Sequence, residues 1–190
     1  MQRLREVLTI GRMSDPFTDN YRLLARYNRW MNQRLYAACE PLGDEERKRQ
    51  RGAFFGSIHH TLTHVLLADR LWLHRFASQQ TCFAALDATA LALPPGVDYV
   101  SVDAFPDWAE LRQARDALDQ RIESWVAEMT PDFLTSTMVY ANTKGVQRSH
   151  PAWQAMTHFF NHQTHHRGQA TTLLMQAGVD VGVTDLVALL

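Results

Sequence analysis

Apolar residues return every three or four positions along four long stretches of this chain, and that period, one face of a helix, constrains the fold more than any other feature. The first stretch runs from about Thr18 to Glu40, with Tyr21, Leu24, Met31, Leu35 and Ala38 on its seam and Asn28 among them. The second, from about Ser57 to Ser78, carries Ile58, Leu62, Val65, Trp72 and Phe76; His64 flanks that stripe and Asp69 is its odd polar member. The third, from about Asp107 to Met129, holds Trp108, Leu111, Leu118, Ile122, Trp125 and Met129 in a seam broken only by Arg115, and Pro106 and Pro131 mark its limits. The fourth begins at about Pro151, a good first-turn residue, and ends near Ala177, where Gly178 is placed as a C-terminal cap. Its seam is Ala155, Phe159, His162, His166, Gln169 and Leu173.

The connections are of two kinds. Gln79 to Phe105 is alanine-rich, contains Pro94, Pro95 and Gly96, and reads as a crossover loop. Thr135 to Tyr140 is β-prone and is followed by Asn142-Thr143-Lys144-Gly145 and Val146, which predicts a small hairpin between the third and fourth helices. The coarse expectation is four antiparallel helices forming a single all-α domain over residues 15–190, after a flexible N-terminal extension over residues 1–14. A chain of 190 residues is long enough for one domain with a substantial core.

Charge and cysteine content narrow the function classes. With 19 basic and 20 acidic side chains there is no electrostatic footprint for nucleic acid or an anionic membrane. Cys39 and Cys82 are too few and too far apart for a disulfide framework or a thiolate metal site, which suits a reducing cytoplasm. The first dozen residues contain Arg3, Arg5 and Arg12 but no apolar run of signal-peptide length, and no later stretch is expected to span a bilayer.

The chemistry is concentrated in the run His158-Phe159-Phe160-Asn161-His162-Gln163-Thr164-His165-His166-Arg167-Gly168-Gln169. On a helix, His162 and His166 stack one turn apart on one face, where both imidazoles can hold a single ion. They stand at seam positions that a leucine would normally occupy, and a buried imidazole pair without partners would cost a few kcal/mol. His64 on the second helix supplies a third ligand. Three imidazoles leave a coordination position open, the layout of a reactive centre and not of a closed structural one. The plainer alternative for His162 and His166 is a hydrogen-bonded core pair. His59 and His60 compete with His64, and His60, one turn from it, is placed to replace or support it. His158 is a further ligand candidate or a rim group, His165 and His150 are surface or outer groups, and His74 faces solvent. No glutamate follows a candidate ligand, since Gln163 stands after His162 and Arg167 after His166, which disfavours a metalloprotease.

Three stretches resemble the DinB/YfiT-like proteins, a family named for damage-inducible and uncharacterised bacterial members. They are Tyr27-Asn28-Arg29-Trp30-Met31-Asn32, then Ser57 to His64 with Ala68-Asp69-Arg70-Leu71-Trp72-Leu73, and, most specifically, Asn161-His162 with His165-His166-Arg167-Gly168-Gln169. The resemblance covers the chain from about Tyr21 onward. It implies an up-down-down-up-like four-helix bundle, commonly a homodimer, that binds a divalent metal through His64, His162 and His166.

By ligand type, imidazoles suit zinc, nickel, iron or copper about equally; zinc and nickel lead, with iron or manganese as further candidates. Related families include enzymes that use a low-molecular-weight thiol, so the leading expectation is a metal-dependent thiol-transferase acting on a small-molecule substrate. A metal-dependent hydrolase, or a non-catalytic small-molecule, metal-binding or stress-response bundle, is the alternative. No general acid or base is identified. Asp69, Asn28, His158, Asn161 and Arg167 are the expected supporting residues, holding a ligand imidazole or a substrate, or making ordinary interhelical contacts: Asp69 either orients an imidazole or pairs with Arg70, Arg167 or another base.

Overall fold

The computed structural model describes residues 15–79, 83–87, 91–93 and 95–190; the expected N-terminal extension over 1–14, Cys82 and Pro94 lie outside these residues. Helices α1 (Pro16–Cys39), α3 (Ile58–Ala77), α4 (Trp108–Glu128) and α6 (Ala152–Gln176) are the four long elements. Short helices α2 (Asp44–Lys48) and α5 (Pro131–Thr135), strands β1 (Thr137–Ala141) and β2 (Gln147–Pro151) and two 3-10 turns decorate the connections. No described helix is long and apolar enough to cross a membrane.

The helix ends follow local chemistry. Asp15, Ser57 and Asp107 each accept a hydrogen bond from the backbone N–H three residues on, which satisfies a donor the first turn leaves free and contributes about 1 kcal/mol per cap. At the other end of α6, Gly178 takes φ of 78°, and the Val179 N–H reaches back to the Leu174 carbonyl at 2.9 Å, a Schellman closure. Pro131 does more than end α4: with Thr130 accepting from the Phe133 N–H, it starts α5. The β-prone run therefore enters the hairpin only at Thr137. There Met138 pairs with His150 and Tyr140 with Arg148, and Asn142 closes the turn by accepting from the N–H groups of Lys144 and Val146.

Side-chain pairs give the direction of each helix. Asn32 meets Asp119, and Glu40 meets Arg112, so α1 and α4 are antiparallel. Tyr21 reaches Thr157 while Asn28 reaches Arg167, so α1 and α6 run parallel. His64 lies against His166 and Trp72 against His158, which makes α3 and α6 antiparallel. His59 against Trp108 and Phe76 against Trp125 make α3 and α4 parallel. The bundle is thus up-down-down-up, as the family resemblance implied. The simpler expectation of four antiparallel neighbours is corrected, because the long crossover carries the chain back to the end of the bundle where α3 began, leaving two of the four neighbouring pairs parallel.

One end of the core is aromatic: Trp125 is fully buried and contacts Phe76, Phe83 and Phe159 with ring centroids 4.7, 6.1 and 5.9 Å away. Burying a side chain of this size contributes roughly 1.5–3 kcal/mol. Further along, the core turns polar, and the histidines stand at that transition.

Candidate metal centre

The antiparallel packing of α3 on α6 sets His64 opposite the turn that separates His162 from His166. Ring centroids lie 5.3 Å (His64 to His162), 4.6 Å (His64 to His166) and 4.3 Å (His162 to His166) apart. Each residue offers a ring nitrogen, and the three nitrogens fall within 4.8 Å of one another, a group able to hold a metal ion. Phe55, in the loop before α3, stacks on His64 at 4.0 Å and meets His166 edge-on at 5.5 Å, covering the cluster from one side.

Burial keeps these imidazoles neutral. It lowers the pKa of His64 to about 4, with His166 adding to the effect, and that of His162 to about 3, with the neighbouring histidines adding to it. The pKa of His166 is also lowered, chiefly by burial, with the Gln169 hydrogen bond opposing. Neutral rings have lone pairs free for a cation. The Nε2 atoms of His162 and His166 face each other at 3.0 Å, and the buried Nδ1 of His162 has no hydrogen-bond partner among the described residues. A pair facing each other this way holds one proton between two nitrogens, whereas a single cation accepts both lone pairs; the donor set fits a divalent ion.

The other histidines turn elsewhere. His59 Nε2 meets the Phe105 carbonyl at 2.6 Å and His60 Nε2 meets Asp103 at 3.0 Å, so both point into the loop before α4 and neither joins His64. His158 stays at the rim, 5.7 Å from His162 and 4.9 Å from Trp72 between ring centroids. His150 lies against Tyr140 on the hairpin, His165 is exposed beside Gln169, and His74 is exposed.

Behind the cluster runs a polar network that joins all four long helices. Arg115, 1% exposed, donates to Asp69 and to Asp119, both at 2.7 Å. Asp119 also accepts from Asn28 at 2.9 Å and Asn32 at 3.0 Å; Asn28 in turn accepts from Arg167, whose guanidinium lies over the Tyr27 ring. Burial raises the pKa of Asp69, with Arg115 opposing, and raises that of Asp119 to about 6 against the pull of the same arginine. Gln163 is fully buried beside this network, next to the Asp69 carboxylate, whose charged form it favours.

Of the expected supporting residues, then, Asn28, Asp69 and Arg167 sit in this interior network, and Asn161 is exposed on α6. The base that Asp69 pairs with is Arg115, not Arg70 or Arg167, and among the described residues no hydrogen bond joins Asp69 to a histidine of the cluster. Gly168 is not placed for close helix approach, since a Cβ there would meet no atom of the described residues within 4 Å. Asn32, Asp119 and Gln163 were missed. The signal for the first two was available, since each lies one turn from a polar seam residue, Asn28 or Arg115.

Two cavities flank the cluster along α6. One, about 400 Å³, lies between the loop before α3 and the outer face of α6, with Arg51, Phe54, His165, Gln169 and Leu173 in its wall. The other, about 240 Å³, is walled by Trp72, Tyr140, His150 and His158.

Comparison with known proteins agrees with this architecture. The chain is 27% identical over 164 residues to Protein DinB of Bacillus subtilis (strain 168), an alignment that spans 85% of this chain and 88% of that protein. No solved structure matches. The DinB family model matches residues 13–190, nearly the whole chain, and the protein therefore belongs to the DinB family.

Proposed function

We propose that this protein is a metal-dependent enzyme of thiol-transferase type, with His64, His162 and His166 as the ligands of one divalent ion. The observation that carries the proposal is the convergence of three neutral imidazoles from two helices, a ring nitrogen of each within 4.8 Å of the others, with no fourth histidine, cysteine or carboxylate of the described residues joining the group. Three protein ligands leave a position open, where a bound ion lowers the pKa of a thiol or a water and so supplies a nucleophile near neutral pH.

The chain's own residues account for the rest. Phe55 over His64 keeps bulk water from one side of the cluster. The wall of Trp72, Tyr140, His150 and His158 stands next to His162 and offers flat faces and ring nitrogens to an acceptor molecule. Zinc and nickel are the leading ions. Assembly as a homodimer in the cytoplasm belongs to the same proposal; the free, buried thiol of Cys39 suits a reducing compartment.

The test is turnover. Protein loaded with zinc or nickel is offered small thiols together with electrophilic acceptors, and loss of the thiol is followed beside a His162→Ala/His166→Ala variant. Thiol consumption that needs the ion and disappears in the variant supports the proposal. Metal binding without turnover would leave a non-catalytic binding protein as the better account.

A further inference from the structure

Gln169 lies three residues after His166 on α6, half-buried, and among the described residues its side-chain hydrogen bonds go to residues of its own helix. Oε1 sits 2.8 Å from Nδ1 of His166, and Nε2 sits 3.3 Å from Nε2 of His165 on the wall of the larger cavity. With Oε1 turned to His166 the amide accepts there, and the bond at 2.8 Å then carries its proton on Nδ1 of His166. A free neutral imidazole prefers its proton on the other nitrogen, and a side chain that reverses that preference has a chemical effect beyond packing.

We propose that Gln169 is a positioning residue: it holds His166 as the Nδ1–H tautomer and so presents a bare Nε2, the nitrogen that faces His162. The order of protons along α6 then follows end to end. Gln169 donates to His165, His166 donates to Gln169, and Nε2 of His166, left as an acceptor, takes the proton of His162 Nε2 at 3.0 Å. The bare Nδ1 of His162 that results matches the buried ring nitrogen without a partner. This assignment rests on the three-histidine centre proposed above for its functional meaning, but not for its geometry. The corresponding acceptors of metal-bound histidines elsewhere change affinity by about 10–100-fold when removed.

The tautomers are read directly in the metal-free protein by long-range proton–nitrogen NMR, beside Gln169→Leu, which removes the acceptor, and Gln169→Glu, which keeps it. The wild type and Gln169→Glu show Nδ1–H at His166, and Gln169→Leu moves its proton toward Nε2. Zinc affinity, measured by competition with a chromophoric chelator, falls about 10–100-fold in Gln169→Leu and does not fall in Gln169→Glu. Urea unfolding stays within about 0.5 kcal/mol of wild type in both variants, as expected for a side chain without interhelical bonds. An Nε2–H tautomer at His166 in the wild type, or unchanged tautomer and zinc affinity in Gln169→Leu, would overturn the proposal. If the tautomers respond as stated but neither zinc nor cobalt binds any form, the metal centre fails and the hold of Gln169 on His166 stands.

Discussion

His162 and His166 face each other across one turn of α6 with their Nε2 atoms 3.0 Å apart, and among the described residues the buried Nδ1 of His162 has no hydrogen-bond partner. Two neutral imidazoles in that position share one proton, and a cation between them and His64 uses every lone pair the cluster offers.

The choice of His64 over its neighbours is open to a direct comparison. His60 is engaged by Asp103 and His59 by the Phe105 carbonyl, both directed away from the cluster. Zinc affinity in His60→Ala is expected to stay within about 2-fold of wild type, whereas His64→Ala loses more than the roughly 100-fold that removal of a mere supporting group costs. Equal losses in the two variants would assign the third ligand differently.

Arg115 holds two buried carboxylates, and removing it strands both. Arg115→Met is expected to destabilise the protein by about 3–5 kcal/mol in urea unfolding, because Asp69 and Asp119 lose their common partner without reaching water. Replacing both carboxylates by asparagine in the same chain recovers part of that loss, since no uncompensated charge then remains in the core. A loss below about 1 kcal/mol in Arg115→Met would mean that the network opens to solvent.

Stability falls with rising pH on the alkaline side. Burial pushes the Cys39 thiol up to about 12 from its ordinary 9.0 and raises the Tyr36 hydroxyl above its ordinary 10.0. Above pH 9 the unfolded chain releases these protons while the folded one retains them. The folded state then binds more protons, and its stability declines by up to about 1.4 kcal/mol per pH unit for each such group. Denaturant unfolding between pH 8 and 11 tests this, and Cys39→Ala is expected to show a shallower decline over pH 9–11.

Chelation is expected to leave the fold intact. The aromatic core and the Arg115 network are built without the three histidines, so the helical circular dichroism of metal-stripped protein is expected to match that of the loaded form. Stability drops only by the binding term, about 2.7 kcal/mol when free metal stood at 100 times its dissociation constant. Unfolding on chelation would make the ion a structural one.

Much of this was legible in the sequence because it lay in a period. The four apolar seams located α1, α3, α4 and α6 to within two residues at each end, helped by Asp107, Pro131 and Gly178. The polar interruptions of those seams, Asn28, Asp69 and Arg115, were visible too, but spacing along one helix does not say which helices touch. That Arg115 lies between Asp69 and Asp119 is a consequence of α3 meeting α4, and the parallel course of those two helices is set by a crossover with no simple period. The same limit applies to α6: its buried face extends to Gln163 and Arg167, so His162 and His166 stand at the margin of the core and not at its centre. Short helices α2 and α5, at five residues each, are too brief to show an amphipathic repeat.

The most direct test of the metal centre is the metal content of purified, untagged protein by elemental analysis, beside His64→Ala and His162→Ala/His166→Ala. About one first-row metal ion per chain in the wild type, lost in both variants while their helical content is retained, is the result this account predicts. A wild type that stays metal-free after incubation with zinc, nickel, iron and manganese, or variants that keep the ion, would contradict it.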